Sequence, residues 1–146
     1  MYKSQIQILP ILQNNPKILN PKKNESYEKI YNIKDRSFRF AQRIIDICEK
    51  LPKQIHCEII AKQLLRAGTS IGANITEAQA SPSRKDFTNF FNHSLKSANE
   101  TKYWLGLLRD TNKVSMEEVN VLIREVDEIV NILGSSILTL KGRKRF

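Results

Sequence analysis

Five polar side chains, Gln63, Arg66, Ser70, Asn74 and Glu77, recur at steps of three and four within IIAKQLLRAGTSIGANITEAQA, residues 59 to 80. At 3.6 residues per turn they stack along one side of a helix. Joined by Glu100, they bring together a guanidinium, two carboxylates, two amides and a hydroxyl, the groups from which a ligand or acid-base site is made. The same groups also make a structural network, because a partly buried Arg requires a carboxylate, and the amides and hydroxyl satisfy what remains. Acid-base chemistry further needs a pocket and a group poised near neutral pH, and neither is legible in the run. Gln63, Arg66, Ser70, Asn74, Glu77 and Glu100 are therefore read as a structural polar network, with no catalytic residue assigned.

Other reactive side chains point the same way. Asn89, His93 and Glu100 could suggest a metal or a base, but His93 has no second His or Cys three or four residues away. Cys48 and Cys57, nine apart, match no metal-ligand spacing with His56 or His93 and are too few for a secreted disulfide scaffold. Reduced thiols follow, and no metal or cofactor is expected. Phe87, Phe90, Phe91, Tyr103 and Trp104 could stack on bases, yet at helical spacing they read as core or interface.

The elements that must position these residues are helices. From Asp35 the pattern turns helical, with Phe38, Ala41, Ile45 and Cys48 beside Phe40, Ile44, Ile47 and Leu51, until Pro52 stops it. A second helix over about 55–79 carries Leu64, Ala67, Ile71, Ile75 and Ala78 on one seam and Ala61, Leu65, Gly68 and Gly72 on another, which leaves little of it suited to water. Two glycines inside a helix cost roughly 1 kcal/mol each relative to Ala, and close helix-helix approach is the natural compensation. Gly68 and Gly72 are accordingly expected at a close-packed contact or an oligomer interface. Ser83 with Asp86 starts a third helix over about 84–111, whose seam is Phe87, Phe91, Ser94, Ala98, Thr101, Leu105 and Leu108. Ser115 to Glu118 is a capping box opening a fourth, with the stripe Val119, Leu122, Ile123, Val126, Ile129, Val130, Leu133, Ile137 and Leu140. Four helices joined by short turns predict an all-α, antiparallel up-down-up-down four-helix bundle over residues 35–140. Residues 1–34, with Pro10, Pro16 and Pro21, predict an extended or disordered arm, and residues 141–146 a basic tail.

Charge is distributed unevenly. The net charge of the 146 residues is +9. Residues 1–34 hold six Lys against two Glu and residues 141–146 hold four Lys and Arg, so the ends supply +8 and the middle is nearly neutral. The expected setting is cytoplasmic, since no apolar run reaches membrane-spanning length and the opening residues do not resemble a secretory signal.

The run QLLRAGTSIGANITEAQASPSRKDF, residues 63–87, followed by ETKYWLGLLRDT, residues 100–111, resembles the four helix bundle protein family, also called 23S rRNA intervening-sequence proteins. The resemblance covers about Phe38 to Leu140. It implies a bacterial antiparallel bundle that assembles as a homopentamer without known enzymatic activity. A related branch, the accessory protein of diversity-generating retroelements, is similar and binds nucleic acid and a reverse transcriptase. Ser97 stands where the family pattern has an acidic residue, and the N-terminal arm lies outside that pattern. The expected function is that of a non-enzymatic, homo-oligomeric interaction scaffold. The alternative is a nucleic-acid-binding accessory subunit, with Lys141, Arg143, Lys144 and Arg145 on the phosphates of RNA or DNA and a reverse transcriptase or ribosomal RNA as partner.

Overall fold

The computed structural model describes residues 21–111 and 113–142. Four helices follow in order: α1 Pro21–Glu49, α2 Ile55–Gln79, α3 Arg84–Asp110 and α4 Met116–Gly142. Among the described residues there is no strand. Helix α1 packs on α2 and α4, and α3 packs on the same two, so the helices close into a ring of antiparallel neighbours with α2 and α4 diagonally opposed. The architecture is the four-helix bundle that the periodicity predicts.

Local chemistry sets the ends. Ser83 caps α3 by accepting from the Asp86 N–H at 3.1 Å while donating to the Asp86 carboxylate at 2.5 Å. Ser115 accepts from the Glu118 N–H at 3.5 Å, and Glu117 and Glu118 place negative charge in the first turn of α4, where the helix dipole favours it. The Arg84 guanidinium donates to the Leu140 carbonyl, placing a cation at the C-terminal turn of α4, where the helix dipole favours it.

The start of α1 corrects the expected arm. The helix opens at Pro21, not Asp35. A proline in the first turn forfeits an N–H that has no intrahelical partner anyway, and no further proline occurs before Pro52. The core extends with it, since Ile33 and Ser37 are fully buried. Residues 1–20 and the tail 143–146 lie outside the described residues.

The predicted seams of α2, α3 and α4 supply the interior. Leu64, Ala67, Ile71, Ile75 and Ala78 of α2 meet Phe91, Ala98, Leu105 and Leu108 of α3 and Val119, Val126, Ile129 and Leu133 of α4, all of them removed from water. The stripe of α1 is narrower than its sequence implies. Phe40, Ile44 and Ile47 are buried, whereas Phe38 and Ile45, a quarter-turn or more further round, are 64% and 42% exposed. The α2–α3 seam is held by an additional hydrogen bond: the buried Ser94 hydroxyl donates to the Ile71 carbonyl at 2.9 Å. A helix carbonyl can take this second bond only where the facing residue is small, and Ser94 provides both the short side chain and the donor.

Candidate functional site

Helices α2 and α3 bring part of the predicted polar seam together. Arg66 donates to the Glu100 carboxylate across the helix pair and to Gln63 Oε1 at 3.0 Å on its own helix. Trp104 Nε1 donates to the same Glu100 oxygen at 3.4 Å, a member of the cluster that sequence spacing did not single out. Its position one turn after Glu100 on the same helix is the signal that could have found it.

The remaining members turn elsewhere. Ser70 Oγ donates to the Arg66 carbonyl at 2.6 Å and Asn74 Nδ2 to the Ser70 carbonyl at 2.8 Å, so both satisfy their own helix instead of joining Arg66. Glu77 is exposed. The Arg66 and Glu100 side chains are 60% and 35% exposed, so the expected continuous, partly buried network resolves into a short surface cluster. The reason is register: the outer edge of the α2–α3 seam reaches solvent, where Arg can remain paired and hydrated at once.

The glycines are placed against the chain itself. A Cβ on Gly68 would lie 3.0 Å from Ile44 Cγ1 and Cγ2, and one on Gly72 would lie 3.2 Å from Ser37 Oγ. Both neighbours are on α1. At these two positions the small seam of α2 thus lies against α1 of the same chain.

The most extensive ionic contact among the described residues joins α1 to α4, between side chains that the sequence analysis does not single out. Arg36 of α1 donates from Nε to Glu125 Oε1 at 2.5 Å and from Nη2 to Glu125 Oε2 at 3.1 Å, a bidentate pair, and also reaches the Glu128 carboxylate. The Arg36 guanidinium, first by hydrogen bonding and then by charge, holds the Glu125 carboxyl below the ordinary carboxylate range. Lys50 and Glu118 add a second bridge along this α1–α4 seam at 2.5 Å. The cleft beside it is lined by Asp35, Arg36, Arg39, Phe40, Arg43 and Glu125.

Other candidates hold little chemistry. Burial pushes the Cys48 thiol up to about 11, which keeps it a neutral, unreactive thiol at physiological pH, and Cys57 is fully buried. His93 is exposed, with its ring centroid 6.5 Å from that of Phe90, and Asn89 is exposed one turn before it. Phe91 is core and stacks 4.6 Å from Phe87, whereas Tyr103 stands 63% exposed against the edge of Trp104. Of the basic tail, Lys141 is exposed in the last turn of α4, and Arg143, Lys144 and Arg145 lie outside the described residues.

With this geometry in place, comparison with known proteins identifies the lineage. A family model described as 23S rRNA-intervening sequence protein matches residues 29–135. The chain belongs to this family. The matched span starts within α1, ahead of Asp35, in agreement with the longer helix. A crystal structure at 1.70 Å of a protein of unknown function from the S23 ribosomal protein family of Bacteroides thetaiotaomicron VPI-5482 is 43% identical. The similarity covers 75% of this chain and 97% of that one, with a TM-score of 0.70. No curated protein matches. The fold is thus shared with this solved structure. Among the described residues no helix is long and apolar enough to cross a membrane.

Proposed function

We propose that this protein is a non-enzymatic, homo-oligomeric interaction scaffold. One observation carries the reading: large apolar side chains stand in solvent on the outside of the bundle. Phe38, Ile55, Ile59, Tyr103, Met116 and Leu138 are each more than half exposed in the single chain. Scattered singly such residues are ordinary, but six of this size on a bundle this small are better accounted for by a partner that covers them. The polar candidates support a non-enzymatic role, because the Gln63, Arg66 and Glu100 cluster lies on open helix surface and not in a cleft that excludes water. The resemblance to the intervening-sequence proteins sets the expected count at five copies.

Nucleic-acid binding is the second reading. Its support is the concentration of +8 of the +9 charge at the two ends, with Lys141 standing exposed where the tail begins. Light scattering at micromolar concentration, with and without labelled RNA followed by fluorescence anisotropy, tests both. A multiple of the 16.9 kDa chain mass is expected. A single-chain mass overturns the scaffold reading, and absence of RNA binding at low salt overturns the second.

A further inference from the structure

We propose that residues 5–13 lie as a polyproline-type segment in the groove between the outer edges of α1 and α2 of the same chain, covering Phe38 and Ile45. The proposal is independent of the homo-oligomer reading, and it removes Phe38 from the surface left to another copy.

The groove follows from the glycine contacts. Ser37 and Ile44 of α1 face Gly72 and Gly68 of α2. One position further on, each helix has turned about 100° outward, so Phe38 and Ile45 on α1 and Thr69 on α2 stand on the solvent side of that seam. Ala41 of α1, and Leu65 and Thr76 of α2, share these edges at helical spacing. Phe38 and Ile45 are 64% and 42% exposed, Ala41 and Leu65 are half-buried, and both threonines are exposed. The threonine hydroxyls donate to carbonyls of their own helix, Thr69 to Leu65 at 2.7 Å and Thr76 to Gly72 at 2.9 Å, so neither needs a further partner. Charge stays off the middle of both banks: Asp35 and Arg39 pair with each other at 2.9 Å, and Arg66 turns away to Glu100. Lys34 and Glu49 stand at the ends of the α1 bank, and Lys62 at one end of the α2 bank.

An uncharged apolar groove selects an uncharged apolar occupant, and one is tethered beside it. Residues 4–16 hold no charge, and residues 5–13 read QIQILPILQ. Pro10 favours the polyproline II form for itself and for Leu9, with three residues per turn. At that period Ile6, Leu9 and Leu12 share one edge, Ile8 and Ile11 a second, and Gln7, Pro10 and Gln13 the third. Two apolar edges would thus meet two apolar banks, with the amides left to water; docking of such segments on aromatic-lined grooves is a common mode of recognition.

The lengths agree as well. Phe38 and Ile45 are about 10 Å apart along α1, and Leu9 and Leu12 about 9 Å apart along a polyproline segment. From Pro21, Phe38 lies about 26 Å and Ile45 about 36 Å along the helix; the chain running back from Pro21 reaches Leu12 in about 28 Å and Leu9 in about 37 Å. Leu12 therefore falls beside Phe38 and Leu9 beside Ile45. Ile11, about 31 Å from Pro21, comes level with Ala41 and, across the seam, with Thr69. So short a tether holds the segment at high effective concentration beside its own groove, which favours the same chain over a second copy. The family match begins at residue 29, so the segment is an addition of this chain to the shared bundle.

The test uses the full chain. A chain carrying Ile11→Cys and Thr69→Cys should form an intrachain disulfide under mild oxidation at least about tenfold faster than one carrying Ile11→Cys and Ser135→Cys, whose second site is exposed on α4. The native Cys48 and Cys57 are buried and stay out of the exchange. Adding Phe38→Asp and Ile45→Asp, both at solvent-facing positions, should leave circular dichroism unchanged and bring the first rate down to that of the control. A rate for Ile11→Cys with Thr69→Cys no faster than the control, or one indifferent to the two Asp substitutions, would overturn the proposal. Links formed mainly between chains, seen as a doubled mass on a denaturing gel, would overturn it too, since they give the groove to a second copy. Intrachain links form alike in a monomer and an oligomer, so the homo-oligomer reading stands or falls separately, by light scattering.

Discussion

Against α2, helix α1 presents Ile44 and Ser37 to two glycines; against α4, it presents Arg36, with Lys50 one residue past its end, to three carboxylates. The first seam is a steric fit in which a methylene decides whether the helices can approach, and it does not respond to salt. The second is ionic, half-exposed, and open to screening and to pH. One helix is thus held by two forces with different ranges and different sensitivities, and each seam can be broken without touching the other.

The largest effect is expected on the steric side. Gly68→Leu drives a branched side chain into Ile44, and overpacking of this kind should cost roughly 3 kcal/mol or prevent folding, read by urea denaturation. Gly106→Ala is the matched control, because a Cβ there meets nothing within 4 Å, and it should stabilise by up to about 1 kcal/mol. Equal outcomes for the two would mean that the close α1–α2 approach is not what the glycines serve.

On the ionic side, Arg36→Ala leaves Glu125 half-buried and unpaired. The expected loss is about 2 kcal/mol, between the values for exposed and for buried pairs, and it should shrink in molar salt while the Gly68→Leu loss does not. Acid should act on the same seam. The Glu125 carboxyl is held below its ordinary value of 4.5 in the folded chain, so its contribution is complete above that value and is lost as pH falls through it toward the lowered one. Thermal melts of wild type and Glu125→Gln should therefore differ at neutral pH and draw together as the medium is acidified below 4.5; a gap that acid leaves unchanged would refute the assignment.

The smallest effect is expected at Arg66. Had the polar seam of α2 been buried, Arg66→Ala would strand a carboxylate at a cost of about 3 kcal/mol; with Arg66 mostly in solvent and Glu100 still reached by water, the loss should stay under about 1 kcal/mol. A larger loss in the isolated chain would place Arg66 with the α1–α4 clamp instead of with the surface.

How far the site could be read in advance follows the same division. Gln63, Arg66 and Glu100 were legible because a residue needing a carboxylate lay one turn from an amide, with an acid available on the next helix. That Ser70 and Asn74 bond their own backbone was not, since a local hydrogen bond and a cross-helix one require the same residue types. The Arg36 clamp was missed because its partners lie 89 and 92 positions away in sequence, beyond the reach of any local spacing.

By itself the sequence determined the four helices, most of their ends and the buried seams, because periodicity, prolines and capping boxes act over a few residues and need no partner to be named. Tertiary structure alone decided which neighbour fills each seam: that Gly68 and Gly72 receive α1, and that Phe38 and Ile45 are left in water. Those outcomes depend on how four helices are arranged around one core, a relation among distant residues that no single helix carries in its own pattern.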